Sequence, residues 1–212
     1  MPEYRVPVID PRRSALIVVD MQVDFIAPGA PLEVAAGRAA VPTISRAIDA
    51  CRASGVPIIY TAHVHQPDGS DLGLFRFSEA IASGRALRDG TPGAEIYAPI
   101  APHPGELVLR KHRFSAFFGT DLERELQDRG VTTVIICGVT TENCCHATAR
   151  DALFRDFEVV FLSDATATFD YLDEGGRGLS AAEVHKATLV IVAMSTGDVI
   201  TVDELVTRIV TS

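Results

Sequence analysis

Two cysteines, Cys144 and Cys145, stand side by side in TVIICGVTTENCCHATARDA, residues 133–152. The stretch reads as an apolar strand, a glycine-led turn and the start of a helix. A helix start carries a partial positive charge and free N–H groups. A thiol placed there has its thiolate, the nucleophilic form, favoured. The same N–H groups can hold a developing oxyanion. The plain alternative is that a cysteine here is a small buried apolar residue. Two more residues extend the chemistry. Asp20 follows the apolar run ALIVV and opens DMQVDF. A carboxylate at the end of such a run is partly desolvated, which raises its affinity for a proton and suits it to act as a base. Lys111, in VLRKHRFSAF, would favour a nearby thiolate and hold a nearby carboxylate charged. Alone, Asp20 reads as a turn residue and Lys111 as a solvated surface charge. Together they make a working set: Asp20 takes the thiol proton, Cys144 attacks a carbonyl carbon, and Asp20 returns a proton to the departing nitrogen.

These residues need a scaffold that brings them to one edge. Continuous apolar runs suit strands buried on both faces of a parallel sheet. They predict strands at 15–21, 56–63, 106–111, 133–139, 158–164 and 198–202. Helical spacing and stop signals predict helices at 37–54, 120–129, from the cysteines to about 157, at 178–194 with Ser180 as cap, and at 203–210. Residues 66–105, rich in Gly, Pro and charge, carry no clear element, and loops this long are usually functional. Strands alternate with helices throughout. The expected fold is therefore α/β: a three-layer α/β/α arrangement with a six-stranded, mainly parallel sheet and helices on both faces. In such sheets, sites lie at the carboxyl ends of strands, where Asp20, Lys111 and Cys144 all fall.

The 212 residues fit a single domain spanning 1–212, and 47% hydrophobic content permits a sizeable core. A net charge of −9 argues against a nucleic-acid or anionic-membrane partner and leaves a small molecule as the expected one. No apolar run approaches the ~20 residues of a membrane span, and no signal-peptide pattern opens the chain. Four cysteines without a CxxC spacing read as thiols of a reducing compartment, so a cytoplasmic location is expected.

The blocks DMQVDF, RKHRFSAF and CGVTTENCCHATARDA, in that order, closely resemble the isochorismatase-like cysteine hydrolases, a superfamily that includes nicotinamidases, N-carbamoylsarcosine amidases, and ureidoacrylate and biuret hydrolases. The resemblance runs from Ala15 to about Val210. It implies an Asp20–Lys111–Cys144 triad, with Cys144 rather than Cys145 as nucleophile because it stands six residues after Gly138. It also implies a non-proline cis peptide between Val139 and Thr140, with the amides of Thr140 and Cys144 as oxyanion donors. The activity implied is hydrolysis of a small amide, ureide or carbamoyl compound through a thioester, with release of ammonia. Nicotinamidases carry an Asp-x-His metal block after the second strand, and TAHVHQPDGSD lacks it. No cofactor is therefore expected, and His63 and His65 read as substrate-facing or packed residues. Phe25, His63, Arg76 and Phe117 are the candidate substrate-binding residues, Arg76 for a carboxylate or ureido oxygen. The aromatic residues of this region suit a subunit interface equally well, and a homo-oligomer, dimer or tetramer, is expected. A metal-assisted nicotinamidase type and a catalytically silent binding protein of the same fold are the competing readings.

Overall fold

The computed structural model describes residues 5–173 and 175–209. Eight strands run β1 (Ser14–Val19), β2 (Ile58–His63), β3 (Leu107–Lys111), β4 (Thr133–Val139), β5 (Glu158–Ala167), β6 (Tyr171–Leu172), β7 (Gly178–Leu179) and β8 (Asp198–Ile200). The helices are α1 (Val23–Ile26), α2 (Ala35–Ala53), α3 (Glu79–Ala82), α4 (Leu122–Asp128), α5 (His146–Leu153), α6 (Ala181–Ser195) and α7 (Val202–Arg208). Six strands form one sheet in the order β3-β2-β1-β4-β5-β8, every pair parallel.

The runs SALIVV, IIYTAH and TVIICGV become β1, β2 and β4, and every residue in them is buried. Alternate side chains go to opposite faces. Leu16, Val18, Ile135 and Cys137 pack with Ile44, Ile48 and Leu205 on one face. Ala15, Ile17, Val134 and Ile136 pack with Leu126, Ala149 and Val192 on the other. This gives the three layers. β3 is an edge strand, and its exposure alternates accordingly. Among the described residues no helix is long and apolar enough to cross a membrane.

The chain leaves β1 toward β2 and β3 on one side, then returns to build β4, β5 and β8 on the other. Strand order therefore reverses between β1 and β4, where open α/β sheets form a crevice. Gly138 makes that junction tight. It has φ 117, and any Cβ there would be driven into the Val19 carbonyl oxygen. The parallel registers Val19↔Gly138 and His63↔Lys111 then bring the strand ends level.

Several boundaries depart from expectation. β5 runs on to Ala167 because a register shift after Ile136 lets Gly138 and Val139 pair with Thr166 and Ala167. Gly178 and Leu179 pair with Leu172 and Tyr171 in a small hairpin instead of opening a helix. The helix starts at Ala181, and Ser180 caps it through a reciprocal bond with Glu183. Residues 66–105 contain short turns, among them Gly73–Phe77 and α3, and isolated bridges from Arg88 to His65 and from Ile96 to Gln22. The last predicted helix ends at Arg208, and Val210 lies outside the described residues.

Candidate active site

Asp20 immediately follows β1 and takes a left-handed conformation, φ 49, which Asp tolerates better than bulkier residues. The turn folds its carboxylate back toward β2. Thr61 Oγ1 donates to Asp20 Oδ1 at 2.6 Å, and Lys111 Nζ lies 2.6 Å from Oδ2. The Asp20 and Lys111 side chains are both fully buried. Lys111 Nζ also donates to the Arg113 carbonyl at 3.0 Å and reaches Cys144 Sγ at 3.5 Å. Burial works against the Lys111 charge, but Asp20 and the Cys144 sulfur outweigh it, and its proton affinity rises above the ordinary value.

Cys144 sits in a widened turn, Thr141–Cys145, that precedes α5; the Cys145 N–H donates five residues back to the Thr140 carbonyl at 3.1 Å. The expected shift toward thiolate does not appear. Burial pushes the Cys144 thiol above its ordinary range, and the opposing pull of Lys111 does not cancel it. At rest the sulfur therefore carries its proton, with an oxygen of the Asp20 carboxylate within 4.8 Å. Cys145 is fully buried in the core beneath, and its thiol is pushed up still further by burial. The Val139–Thr140 peptide is cis.

A cavity of about 470 Å³ opens above these groups. Thr140 and Cys144 lie on its floor, with Phe25, His63, Phe75 and Phe114 among its walls. A ring nitrogen of His63, an oxygen of Asp20 and Cys144 Sγ all lie within 4.8 Å of one another. His63 is buried, and its proton affinity falls well below the ordinary value through desolvation first and the Lys111 charge second, so it is neutral.

Two predicted substrate contacts are misplaced. Arg76 is exposed and does not line the cavity; its neighbour Phe75 does. In a tight turn such as Gly73–Phe77 only one face points inward. Phe117 packs below the site, 6.0 Å from the Phe157 ring with the Arg155 guanidinium over it at 5.0 Å. Phe114, three residues earlier, faces the cavity.

Sequence reading missed Thr61, although its two-residue offset from His63 puts both on one face of β2. It also missed the group around Glu142. Glu142 Oε1 accepts from Thr140 Oγ1 at 2.8 Å, Asn143 Nδ2 at 3.0 Å and Tyr171 Oη at 2.6 Å. These bonds tie the hairpin to the turn that carries Cys144.

Among the described residues, Asp20, His63 and Cys144 are the set whose donor atoms converge as metal ligands would. A metal does not fit there. A divalent cation would sit beside the buried Lys111 ammonium, which already neutralises Asp20 at 2.6 Å.

Residues 14–204 match the family model described as Isochorismatase domain. A protein of Arabidopsis thaliana described as a probable inactive nicotinamidase is 36% identical over 188 residues, 82% of this chain and 94% of its own length. Among solved structures, a cysteine hydrolase from Pseudomonas syringae pv. phaseolicola is 38% identical, with TM-score 0.93 and coverage of 98% of this chain and 97% of its own. N-carbamoylsarcosine amidase from Thermoplasma acidophilum is 30% identical, with TM-score 0.71 and coverage of 90% and 97%.

Proposed function

The chain belongs to the isochorismatase family as an amidase-type hydrolase of carbon–nitrogen bonds, and on that premise we propose that it is a cysteine-dependent hydrolase of a small amide, ureide or carbamoyl compound. The observation that carries this reading is the buried contact line from Asp20 through Lys111 to Cys144 on the cavity floor.

In the proposed reaction Asp20 takes the proton from Sγ as the sulfur attacks the carbonyl carbon. Lys111 holds the local charge balance, and the amides of Thr140 and Cys144 receive the oxyanion. Collapse breaks the carbon–nitrogen bond. Asp20 passes its proton to the departing nitrogen, which leaves as ammonia. Water then attacks the thioester and gives a proton to Asp20. The acid product leaves as that proton returns to the sulfur. No step requires a metal.

The cavity's size and apolar walls support a small-molecule substrate over a polymer. We further propose that the protein is cytoplasmic and self-associates. In support, the four cysteines are unpaired, and Val190, Ile191 and Met194 leave an apolar stripe exposed on α6.

The test is an ammonia-release screen over nicotinamide, biuret, N-carbamoyl amino acids and ureidoacrylate, with Cys144→Ala as the blank and a chelator-treated sample in parallel. The expected result is turnover of a linear compound, absent in Cys144→Ala and unchanged by the chelator. Full activity in Cys144→Ala, or no ammonia from any compound, would overturn the cysteine mechanism. Activity lost to the chelator and restored by zinc would establish a metal-assisted nicotinamidase type instead.

A further inference from the structure

Behind the His63 ring lies a chain of contacts that the reaction above does not use. His63 Nε2 is 3.2 Å from His65 Nε2. His65 is sealed from solvent, and its Nδ1 makes no hydrogen bond but lies 3.4 Å from Asp71 Oδ2, within ion-pair distance. Asp71 is itself held in place. Its Oδ1 accepts the Gln66 N–H at 3.0 Å, and its carbonyl accepts from the Arg113 guanidinium at 3.2 Å. The line runs from the cavity wall to a carboxylate at the rim of a second, polar recess formed with Asp89, Arg110 and His112.

Both histidines are neutral, since burial pushes each below its ordinary proton affinity. Each ring then has one N–H and one bare nitrogen. The Asp71 carboxylate, 3.4 Å away, repels a bare ring nitrogen and favours an N–H facing it, so its charge holds the His65 proton on Nδ1. His65 Nε2 is thereby left bare and must accept. The partner across the 3.2 Å contact, His63 Nε2, must donate. That leaves His63 Nδ1 without a proton. Among the described residues no hydrogen bond engages Nδ1, yet it is not one of the sealed, partnerless polar atoms, so it opens onto the cavity that the ring lines.

We propose that Asp71 and His65 are positioning residues that fix His63 as a hydrogen-bond acceptor in the cavity, and that this acceptor selects ureides and carbamoyl amines, substrates with an N–H beside the scissile carbonyl. The proposal rests on the amidase reading above. The nitrogen that leaves must face Asp20 to receive its proton, and the acceptor on His63 then meets an N–H on the other side of the carbonyl. A simple carboxamide has carbon there. The ring nitrogen of a pyridine carboxamide carries a lone pair and offers His63 no proton.

Two measurements test this. Imidazole ¹⁵N NMR of the substrate-free protein reads the tautomers directly, with no dependence on turnover. His63 is expected as the Nε2–H form and His65 as the Nδ1–H form. In Asp71→Asn, the side-chain oxygen keeps the Gln66 N–H, so the amide nitrogen falls beside His65 Nδ1 and donates to it. Both tautomers are expected to invert. Asp71→Glu keeps an acceptor and is expected to restore the native pattern. The second measurement compares kcat/KM for N-carbamoylglycine and its N-methyl analogue, which lacks the N–H. The native enzyme is expected to favour the first by on the order of 10²-fold or more, because a site built to pair an N–H rejects its absence. In Asp71→Asn the ratio is expected to fall to within about tenfold as the acceptor is lost.

His63 protonated on Nδ1 in the native protein would overturn the proposal. So would tautomers unchanged in Asp71→Asn, or a native enzyme indifferent to N-methylation. Inactivity toward every amide with the expected tautomers present would instead count against the amidase reading alone.

Discussion

At the carboxyl edge of the sheet, Asp20 and Lys111 are fully buried and held 2.6 Å apart, and Cys144 is only 4% exposed. Over the same cavity, residues 66–105 hang as short turns, and Phe77 at its mouth is 75% exposed. The first region is held by parallel register on several strands, so a group there has little freedom to relocate. The second has no strand register and is held by scattered hydrogen bonds, such as Leu87 N–H to Asp24 and Arg113 to the Asp71 carbonyl, and by ring contacts, such as Phe75 against Phe114 at 4.9 Å and against His63 at 5.4 Å. On the proposed reading, reaction chemistry lies at the strand-held edge, to which the acceptor His63 also belongs, while the loop wall shapes the cavity, the usual division between scaffold and loop.

The sharpest way to break this contrast is within the edge itself. Cys144→Ala is expected to lose all turnover, whereas Cys145→Ala keeps the bulk of it and loses stability, since Cys145 only fills the core. Mapping of the iodoacetamide adduct on native protein is expected to find Cys144. An adduct on Cys145 with activity lost in step would reverse the assignment.

The ion pair comes next. Asp20→Asn and Lys111→Met are each expected to lower kcat by on the order of 10²-fold or more. Each also leaves one buried charge unpaired, at a cost of about 3–5 kcal/mol. The double variant, which removes both charges, is expected to regain much of that stability in denaturant titration while remaining as inactive as the worse single variant. Recovery of activity in the double variant would show that the pair is structural.

Wall substitutions should act on KM. Phe75→Ala and Phe114→Ala are expected to raise KM by about tenfold, the worth of a buried aromatic contact, with smaller change in kcat. Phe117→Ala should leave KM alone and cost about 3–5 kcal/mol of stability as a core deletion. Arg76→Ala, on the exposed side of its turn, is expected to alter neither by more than about 0.5 kcal/mol. A KM effect at Arg76 equal to that at Phe75 would mean that the wall rearranges around substrate.

The contrast also divides what could be read in advance. SALIVV and TVIICGV announce buried parallel strands because both of their faces must be apolar. Once these are strands, their carboxyl ends are where Asp20 and Cys144 must sit. RFSAFF carries no such rule. Its aromatic residues are equally apolar, and nothing local distinguishes Phe114, on the cavity, from Phe117, in the core. Phe75 and Arg76 differ in direction for the same reason. The hairpin at Tyr171 and Leu172 pairs over two residues per strand, too short for alternation to register.

By itself, then, the amino-acid sequence determined the alternating strands and helices, the parallel sheet, and the residue types that meet at its edge, because these follow from periodicity and chain order. Tertiary structure alone decided the protonation of Cys144 and the direction of the wall. Desolvation keeps the Cys144 thiol protonated where a helix start alone would have favoured the thiolate. The contact between His63 and His65, and the carboxylate of Asp71 behind it, arise where the chain leaves β2 and folds back on itself. Burial and side-chain direction in irregular segments depend on everything packed around them, and no local pattern encodes that.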